Sequence, residues 1–268
     1  ASAFIDRLPN EIWIVPLGTT NFDQATFLPE ATLYRARSVP GAAWTEKMIV
    51  SWTTAKTSHG NFETIQIVGL PPSRRFTLPW DVRPPSAAEL IDPRGVIIDR
   101  AEQQRLYVGG VGDELEANHR RIKVLGFTRG MRSFTTSPYV VTRYQNAERM
   151  IIGEPHFQYV LVKAADGVAP SVVQQRLQEK LQNAEVLLSN EFRWRTYSYW
   201  LFSTGVGTAF LIAAILGFVV GGAVVAQVLY ASVVEQRPQF GVLKAMGATN
   251  GYLCRVVLQQ AVLTALLG

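Results

Sequence analysis

The chain has 268 residues, 48% of them hydrophobic, and carries 26 Lys and Arg against 21 Asp and Glu. That length accommodates one large or two small domains, each with a core of its own. Of the 47 charges, 43 fall in residues 1–195, as 23 basic and 20 acidic; this mixed surface lacks the basic stripe that tracks a phosphate backbone, which argues against nucleic acid as a partner.

Cys254 is the single cysteine, so no internal disulfide can form and packing must hold the fold, while the redox compartment stays open. No basic, apolar, small-residue leader follows Ala1. Either a segment lies upstream or the apolar stretch from Leu201 is itself the membrane signal.

In chain order, "EIWIV" from Glu11 to Val15 is strand-like, Pro29 to Arg37 suits a short helix with proline in its first turn, and "KMIVSW" from Lys47 to Trp52 is strand-like again. Strands are expected at Thr64 to Val68, Gly95 to Ile98, Arg121 to Phe127 and Tyr139 to Arg143, with a short helix near Asp99 to Leu106. Between them "LPPSRRFTLPWDVRPPS", Leu70 to Ser86, reads as a turn-rich surface excursion or an ordinary long loop. The first pattern then returns: "YVLVK" at Tyr159 to Lys163, a helix from Pro170 with Val173, Leu177, Leu181 and Ala184 as one apolar stripe, and a closing strand at Val186 to Leu188. Two β-α-β units at the two ends of one domain predict an α+β body: a split β-α-β, ferredoxin-like lobe with a second α/β lobe inserted over residues 54–155.

Between Arg195 and Glu235 lie 39 residues without a charge. A bilayer core about 30 Å thick needs roughly 20 apolar residues, and one helix of this length would reach about 58 Å. Its most apolar part is Leu201 to Tyr230, with Trp194, Tyr197, Tyr199 and Trp200 as an aromatic belt at one edge. Gly217 and Gly221 form a GxxxG pair that lets another helix approach, a spacing that the general frequency of glycine in membrane helices also produces. After Arg255 comes the apolar "VVLQQAVLTALLG", read as the first half of a further span or as a short helix on the membrane surface.

Catalytic signals are sparse. No GxxxxGK[ST] phosphate cradle occurs, "YVGGVGD" at Tyr107 to Asp113 follows a helix-like segment where a dinucleotide fingerprint follows a strand, and no GxSxG elbow is present. His59, His119 and His156 are far apart and share no metal-ligand spacing. Asp92, Asp99 and Asp113 flank one predicted strand and helix, where capping explains them as well as chemistry does.

Between the apolar stretches stands "VVEQRPQFGVLKAMGATNGYLCRVVLQQ", Val233 to Gln260. Pro238 favours a helix start, Phe240, Leu243 and Met246 recur every third residue, and Gly247 can end the helix in the left-handed conformation. This predicts a two-turn amphipathic helix along the membrane surface, or a plain helix joining two spans.

The segment resembles the loop between the second and third spans of FtsX/MacB-type ABC transporter permeases. There a pattern like E-x-R-x-x-x-G-x-L-K-A-x-G-A is matched by Glu235, Arg237, Gly241, Leu243, Lys244, Ala245, Gly247 and Ala248. "GVIIDRAEQQRLYV", "RRIKVLGF" and the run from Gly217 to Leu253 look most like the cyanobacterial DevC branch. One departure is Gln239, where the family often has an acidic residue.

The resemblance implies a non-enzymatic permease subunit of the bacterial inner membrane, multi-pass, with its large domain in the periplasm. It implies an extracytoplasmic domain over 1–195, a long transmembrane helix over 196–234, a cytoplasmic loop over 235–252 and the start of a third span over 253–268. The chain is expected to begin just after the first span and end inside the third. Within the loop, Arg237, Phe240, Gly241, Leu243, Lys244, Met246 and Gly247 would form a coupling helix docking on a separate ABC ATPase subunit. Phe240, Leu243 and Met246 would be its apolar face, with Lys244 an ionic contact. ATP and Mg would be bound in that partner and no cofactor or metal in this chain. A periplasmic adaptor protein and an outer-membrane channel would complete an exporter of a lipid-like or other amphiphilic substrate, and Gly217 and Gly221 would pack a permease homodimer. The alternative within the superfamily is an FtsX-like regulator that activates a cell-wall hydrolase and transports nothing; outside it stands a membrane-anchored enzyme or binding module. Loop charge does not orient the span: Lys180, Arg193 and Arg195 precede it and Arg237, Lys244 and Arg255 follow it.

Overall fold

The computed structural model describes residues 3–71, 92–131, 137–151 and 157–267. The proline-rich run read from the sequence at Leu70 to Ser86 lies almost wholly outside them, as does His156. The chain divides into two compact units, Ala1–Trp200 and Leu201–Gly268.

The outer unit starts with α1 (Ala3–Arg7), β1 (Ile12–Pro16), α2 (Glu30–Arg37) and β2 (Ala42–Lys56), and ends with β8 (Tyr159–Ala164), α5 (Pro170–Lys180), β9 (Ala184–Leu188) and α6 (Ser189–Ser198). β1 pairs antiparallel with both β8 and β9, and β8 pairs antiparallel with the first half of β2. The order β2-β8-β1-β9 is that of a split β-α-β, ferredoxin-like sheet, built from strands roughly 150 residues apart in sequence. Along β1 side chains alternate between two faces. Ile12 and Ile14 pack with Leu33 and Ala36 of α2 and with Val173 and Leu177 of α5. Trp13 and Val15 face the other way, into a second apolar cluster with Phe4, Phe22, Tyr159 and Phe192. α5 stops at Lys180, shorter than the apolar stripe suggested: Leu181 caps it and Ala184 already opens β9. Both residues are buried, so the stripe marks the core correctly while the backbone changes conformation along it.

Between β2 and β8 run β3 (Phe62–Leu70), β4 (Gly95–Asp99), a 3-10 turn (Arg100–Glu102), α3 (Gln103–Leu106), β5 (Glu114–Ala117), β6 (Arg120–Thr128), β7 (Tyr139–Arg143) and α4 (Tyr144–Met150). The pairings β2–β3, β3–β7, β7–β4, β4–β6, β6–β5 and β5–β2 close on themselves. The second lobe is therefore a six-stranded closed barrel, an arrangement that removes free sheet edges. β5 and β6 are joined by Asn118 and His119, both at positive φ (48° and 60°), the geometry of a two-residue type I′ hairpin. α4 lies on β3, where a Cβ at Gly69 would come within 2.5 Å of the Ala147 Cβ, so glycine is what admits the helix.

The expected lobe boundary at residue 54 moves. β2 is one strand of 15 residues; Ala42–Met48 pairs with β8 of the first lobe and Ile49–Lys56 with β3 of the second. The lobes share a strand, and the barrel begins near Ile49. Only the apolar centre of β2 carried a periodic signal. Its polar ends are held by backbone pairing, which side-chain type does not report.

The single long helix expected over 196–234 is interrupted. α6 ends at Ser198, a π turn runs through Tyr199–Ser203, Thr204 is extended, and α7 spans Gly205–Glu235. Ser203, Thr204, Gly205 and Gly207, four poor helix formers within five residues, account for the break. α8 (Arg237–Ala245) and α9 (Asn250–Leu267) follow, both lying against α7. α9 starts at Asn250, three residues before the expected Leu253, because Thr249 caps it: its hydroxyl accepts the Tyr252 N–H at 3.3 Å.

Candidate functional site

The connection from α7 to α9 is built from its backbone outward. Gln236 closes α7, its N–H donating to the Ser232 carbonyl at 3.1 Å, and its own carbonyl accepts the Phe240 N–H to begin α8. Pro238 sits in the first turn, where a missing N–H costs nothing. At the other end Gly247 takes φ +96°. Its N–H donates to the Lys244 carbonyl at 3.1 Å and the Ala248 N–H to the Leu243 carbonyl at 3.0 Å. This pair of bonds is a Schellman stop, and Gly247 is the residue that permits it. α8 is thus a discrete nine-residue rod with defined ends, about 13 Å long.

Its side chains make few contacts within the chain. Met246 is 79% exposed, Val242 61% and Leu243 36%, whereas Phe240 is only half-exposed. Of the three residues read as an apolar face, Met246 is open while Leu243 and Phe240 are partly covered. Val242, which the every-third-residue spacing passed over, adds to the open surface. Arg237 and Lys244, seven residues apart, share a helix face beside Phe240. Gly241 has no atom within 4 Å of where a side chain would begin, so its backbone is open to close approach.

Among the described residues one helix is long and apolar enough to cross a membrane, Gly207–Glu235, with a mean hydropathy of 2.6 and none of its most apolar window buried. Gly217 and Gly221 have nothing within 4 Å of a prospective Cβ and line an uncovered surface of α7. Cys254 on α9 is exposed.

In the outer unit the two lobes meet at a polar hub that sequence reading did not find. Asn21 folds the β1–α2 loop by accepting the N–H groups of Asp23 and Gln24 with its side chain. This delivers Asp23, 2% exposed, to the barrel. Tyr139 on β7 donates its hydroxyl to Asp23 Oδ1 at 2.8 Å, and the Asp23 carbonyl accepts Trp52 Nε1 at 3.0 Å and Gln66 Nε2 at 3.2 Å. Asp23 Oδ2 and Gln66 Oε1 are buried without partners. Burial pushes the Asp23 carboxyl above the usual carboxylate range, against the lowering effect of the Tyr139 hydrogen bond. Four residues from four separate segments build this hub, and no local pattern could have brought them together.

Beside it opens a groove of about 470 Å³, with Phe27, Trp52, Phe62 and Ile151 as its apolar lining and Lys56, Glu116 and His119 on its rim. Of the histidines, His59 packs at a tilt against Tyr107 with ring centroids 4.4 Å apart and His119 lies 3.5 Å from Glu116. Among the described residues no three His, Cys, Asp or Glu side chains converge as a metal site would require. Asp99 is a structural carboxylate, capping the turn at Ala101 and accepting from Thr128 and Met131. Asp113 accepts the N–H groups of Gly109 and Gly110, which makes the glycine run a closed turn.

Residues 1–180 match the family described as MacB-like periplasmic core domain, and residues 211–268 the one described as FtsX-like permease C-terminal. A probable export ATP-binding/permease protein of Pseudomonas fluorescens is 23% identical over 182 residues, 65% of this chain and 28% of that protein. The macrolide export ATP-binding/permease protein MacB of Neisseria gonorrhoeae is 25% identical over 189 residues, 66% of this chain and 29% of that protein. The chain therefore spans under a third of the length of these relatives. Among solved structures, the periplasmic region of MacB from Actinobacillus actinomycetemcomitans superposes with a TM-score of 0.50 at 14% identity, covering 69% of this chain and 92% of that one, a likeness of fold.

Proposed function

The chain belongs to the MacB/FtsX family of ABC transporter permeases, and from that premise we propose that it transmits force from ATP hydrolysis to its outer domain to drive export of an amphiphilic substrate. The hydrolysis itself belongs to an ATPase in a separate subunit or in another part of the same polypeptide, since this stretch carries no GxxxxGK[ST] cradle.

The observation that supports this reading is α8: a capped rod between two apolar helices, with Val242 and Met246 largely exposed and Leu243 partly so among the described residues. Large exposed apolar side chains on a short, stiff element are what a docking surface requires. Arg237 and Lys244 beside them would steer an acidic rim. Closure of the ATPase would push α8, rock α7 and move the outer unit; adaptor, outer-membrane channel, homodimer, inner-membrane location with several spans, and the DevC-like branch are parts of the same proposal.

Replacing both Leu243 and Met246 by Asp is expected to abolish co-purification of the permease with its ATPase, and undiminished association removes the docking role. Maleimide labelling of Cys254 in intact cells is expected to require inner-membrane permeabilisation; labelling from the periplasm would put α8 on the wrong side. Captured partners separate the two readings of the stroke: an adaptor and a channel support export, a murein hydrolase supports the FtsX-like regulator.

A further inference from the structure

A second cleft, of about 410 Å³, is lined by Pro93, Arg94, Arg120, Arg121, Asn146, Arg149 and Met150; Arg120 and Met150 are chain neighbours of His119 and Ile151, which line the first groove. Four arginines reach it from three parts of the sequence: Arg94 just before β4, Arg120 and Arg121 at the start of β6, and Arg149 in the last turn of α4. Barrel closure brings them together. Their counter-charges are few. Arg94 lies 3.7 Å from Asp92 and 3.3 Å from Glu114 Oε1, and Arg121 lies 3.6 Å from Glu114 Oε2, so one carboxylate serves two guanidiniums. Arg120 and Arg149 make no ion pair with any described residue. Among the described residues, four positive groups face two carboxylates, an excess of two positive charges.

The floor is firm. Met150 is 2% exposed and Asn146 4%, and the Asn146 amide is fixed by donating to the Asp92 carbonyl at 2.9 Å and to Thr142 Oγ1 at 3.2 Å. An ordered floor beside four guanidiniums gives an anionic group a fixed place in which to accept charge-assisted hydrogen bonds.

We propose that this cleft binds a phosphate-bearing group. A phosphomonoester carries close to two negative charges and three terminal oxygens, enough to satisfy two or more guanidinium forks at once, whereas a single carboxylate occupies one. The cleft is several times larger than a phosphate ion, which leaves room for the alcohol the phosphate esterifies. The group arrives either on a lipid headgroup or as free phosphate. The site is independent of α8 and of the proposed coupling, so either can fail without the other.

The test uses the protein in neutral detergent, titrated calorimetrically with dihexanoyl phosphatidate below its micellar concentration, with dihexanoyl phosphatidylcholine as a zwitterionic control, and with inorganic phosphate. Phosphatidate is expected to bind in preference to the phosphatidylcholine, more weakly as salt rises. Its affinity is expected to fall at least tenfold in the double variant Arg120→Gln/Arg149→Gln and to hold in Arg105→Gln, whose guanidinium pairs with Glu63 elsewhere on the lobe. Binding of phosphatidate without inorganic phosphate assigns the site to a headgroup, and comparable binding of both assigns it to phosphate itself; both outcomes support it. Because Arg120 and Arg149 are exposed and unpaired among the described residues, the double variant should melt with the parent protein, so lost binding reports the site. No binding of either probe at millimolar concentration, or equal affinity in the double variant, overturns the proposal.

Discussion

In the outer unit Trp13, Ile14 and Phe192 are closed off from solvent, whereas in the membrane-side unit Phe210, Phe218 and Tyr230 expose 74%, 84% and 69% of their surface. The same kinds of side chain serve opposite ends. In the outer unit they meet one another: Phe22 stacks on Tyr159 at 5.4 Å, Trp13 packs edge-on to Tyr159 at 5.6 Å, and Phe192 closes the group at 5.4 Å from Trp13. In the membrane-side unit they stay largely exposed among the described residues, a surface that lipid or other protein would cover. One unit contains the reason for its own stability and the other points to its surroundings.

Substitutions can sharpen that contrast. The largest effect is expected for Trp13→Ala, which removes the centre of the aromatic cluster and should cost about 3–5 kcal/mol, read as a fall in the denaturation midpoint of the outer unit. A midpoint unchanged within error would mean the cluster can collapse around the void.

Next come the residues of the interlobe hub. Tyr139→Phe strips the hydrogen bond from a buried carboxylate and should cost about 2 kcal/mol near neutral pH. It should also raise the Asp23 pKa further, because the bond that favours the charged form is gone. Since the folded pKa of Asp23 already lies above its ordinary 3.8, the folded state binds this proton more readily than the unfolded chain. Its contribution to stability therefore grows as pH falls through the folded value toward 3.8. Asp23→Asn should remove that contribution and stabilise the protein most at neutral pH, by melting curves at several pH values. Glu185 changes in the opposite sense. Partial burial would raise its pKa, but hydrogen bonds from Arg195 and the Gly18 N–H outweigh it and lower the value. Its contribution is present above the ordinary 4.5 and lost as pH falls through the depressed folded value.

Smaller effects belong to the membrane-side unit. Gly247→Ala forces a side chain into the left-handed region and should cost about 1 kcal/mol locally, visible as faster hydrogen exchange at Gly247 and Ala248 positions. Met246→Asp should alter the melting behaviour by less than about 0.5 kcal/mol, since the side chain is 79% exposed. A large loss of stability there would show that α8 is packed, and would remove the basis for calling it a docking surface.

Much of the local structure was legible in advance. β7 runs over the residues expected, Tyr139–Arg143, and Pro170 and Gly247 stand where a helix begins and ends. The sequence alone also marked the apolar helix, because 39 residues without a charge have few other uses. These features rest on propensity and periodicity, which act within a turn or two of chain. β5, α1 and α4 were missed because each is short and held mainly by its neighbours: β5 by pairing with β2 and β6, α4 by the opening at Gly69.

What tertiary structure alone decided is which distant residues share a place. The passage of β2 through both lobes, the delivery of Asp23 to Tyr139 and the gathering of four arginines all depend on strand register and barrel closure. The physical reason is that pairing is set by backbone hydrogen bonds and by the summed burial of both faces, quantities that belong to the folded whole and leave no trace in any short stretch of sequence.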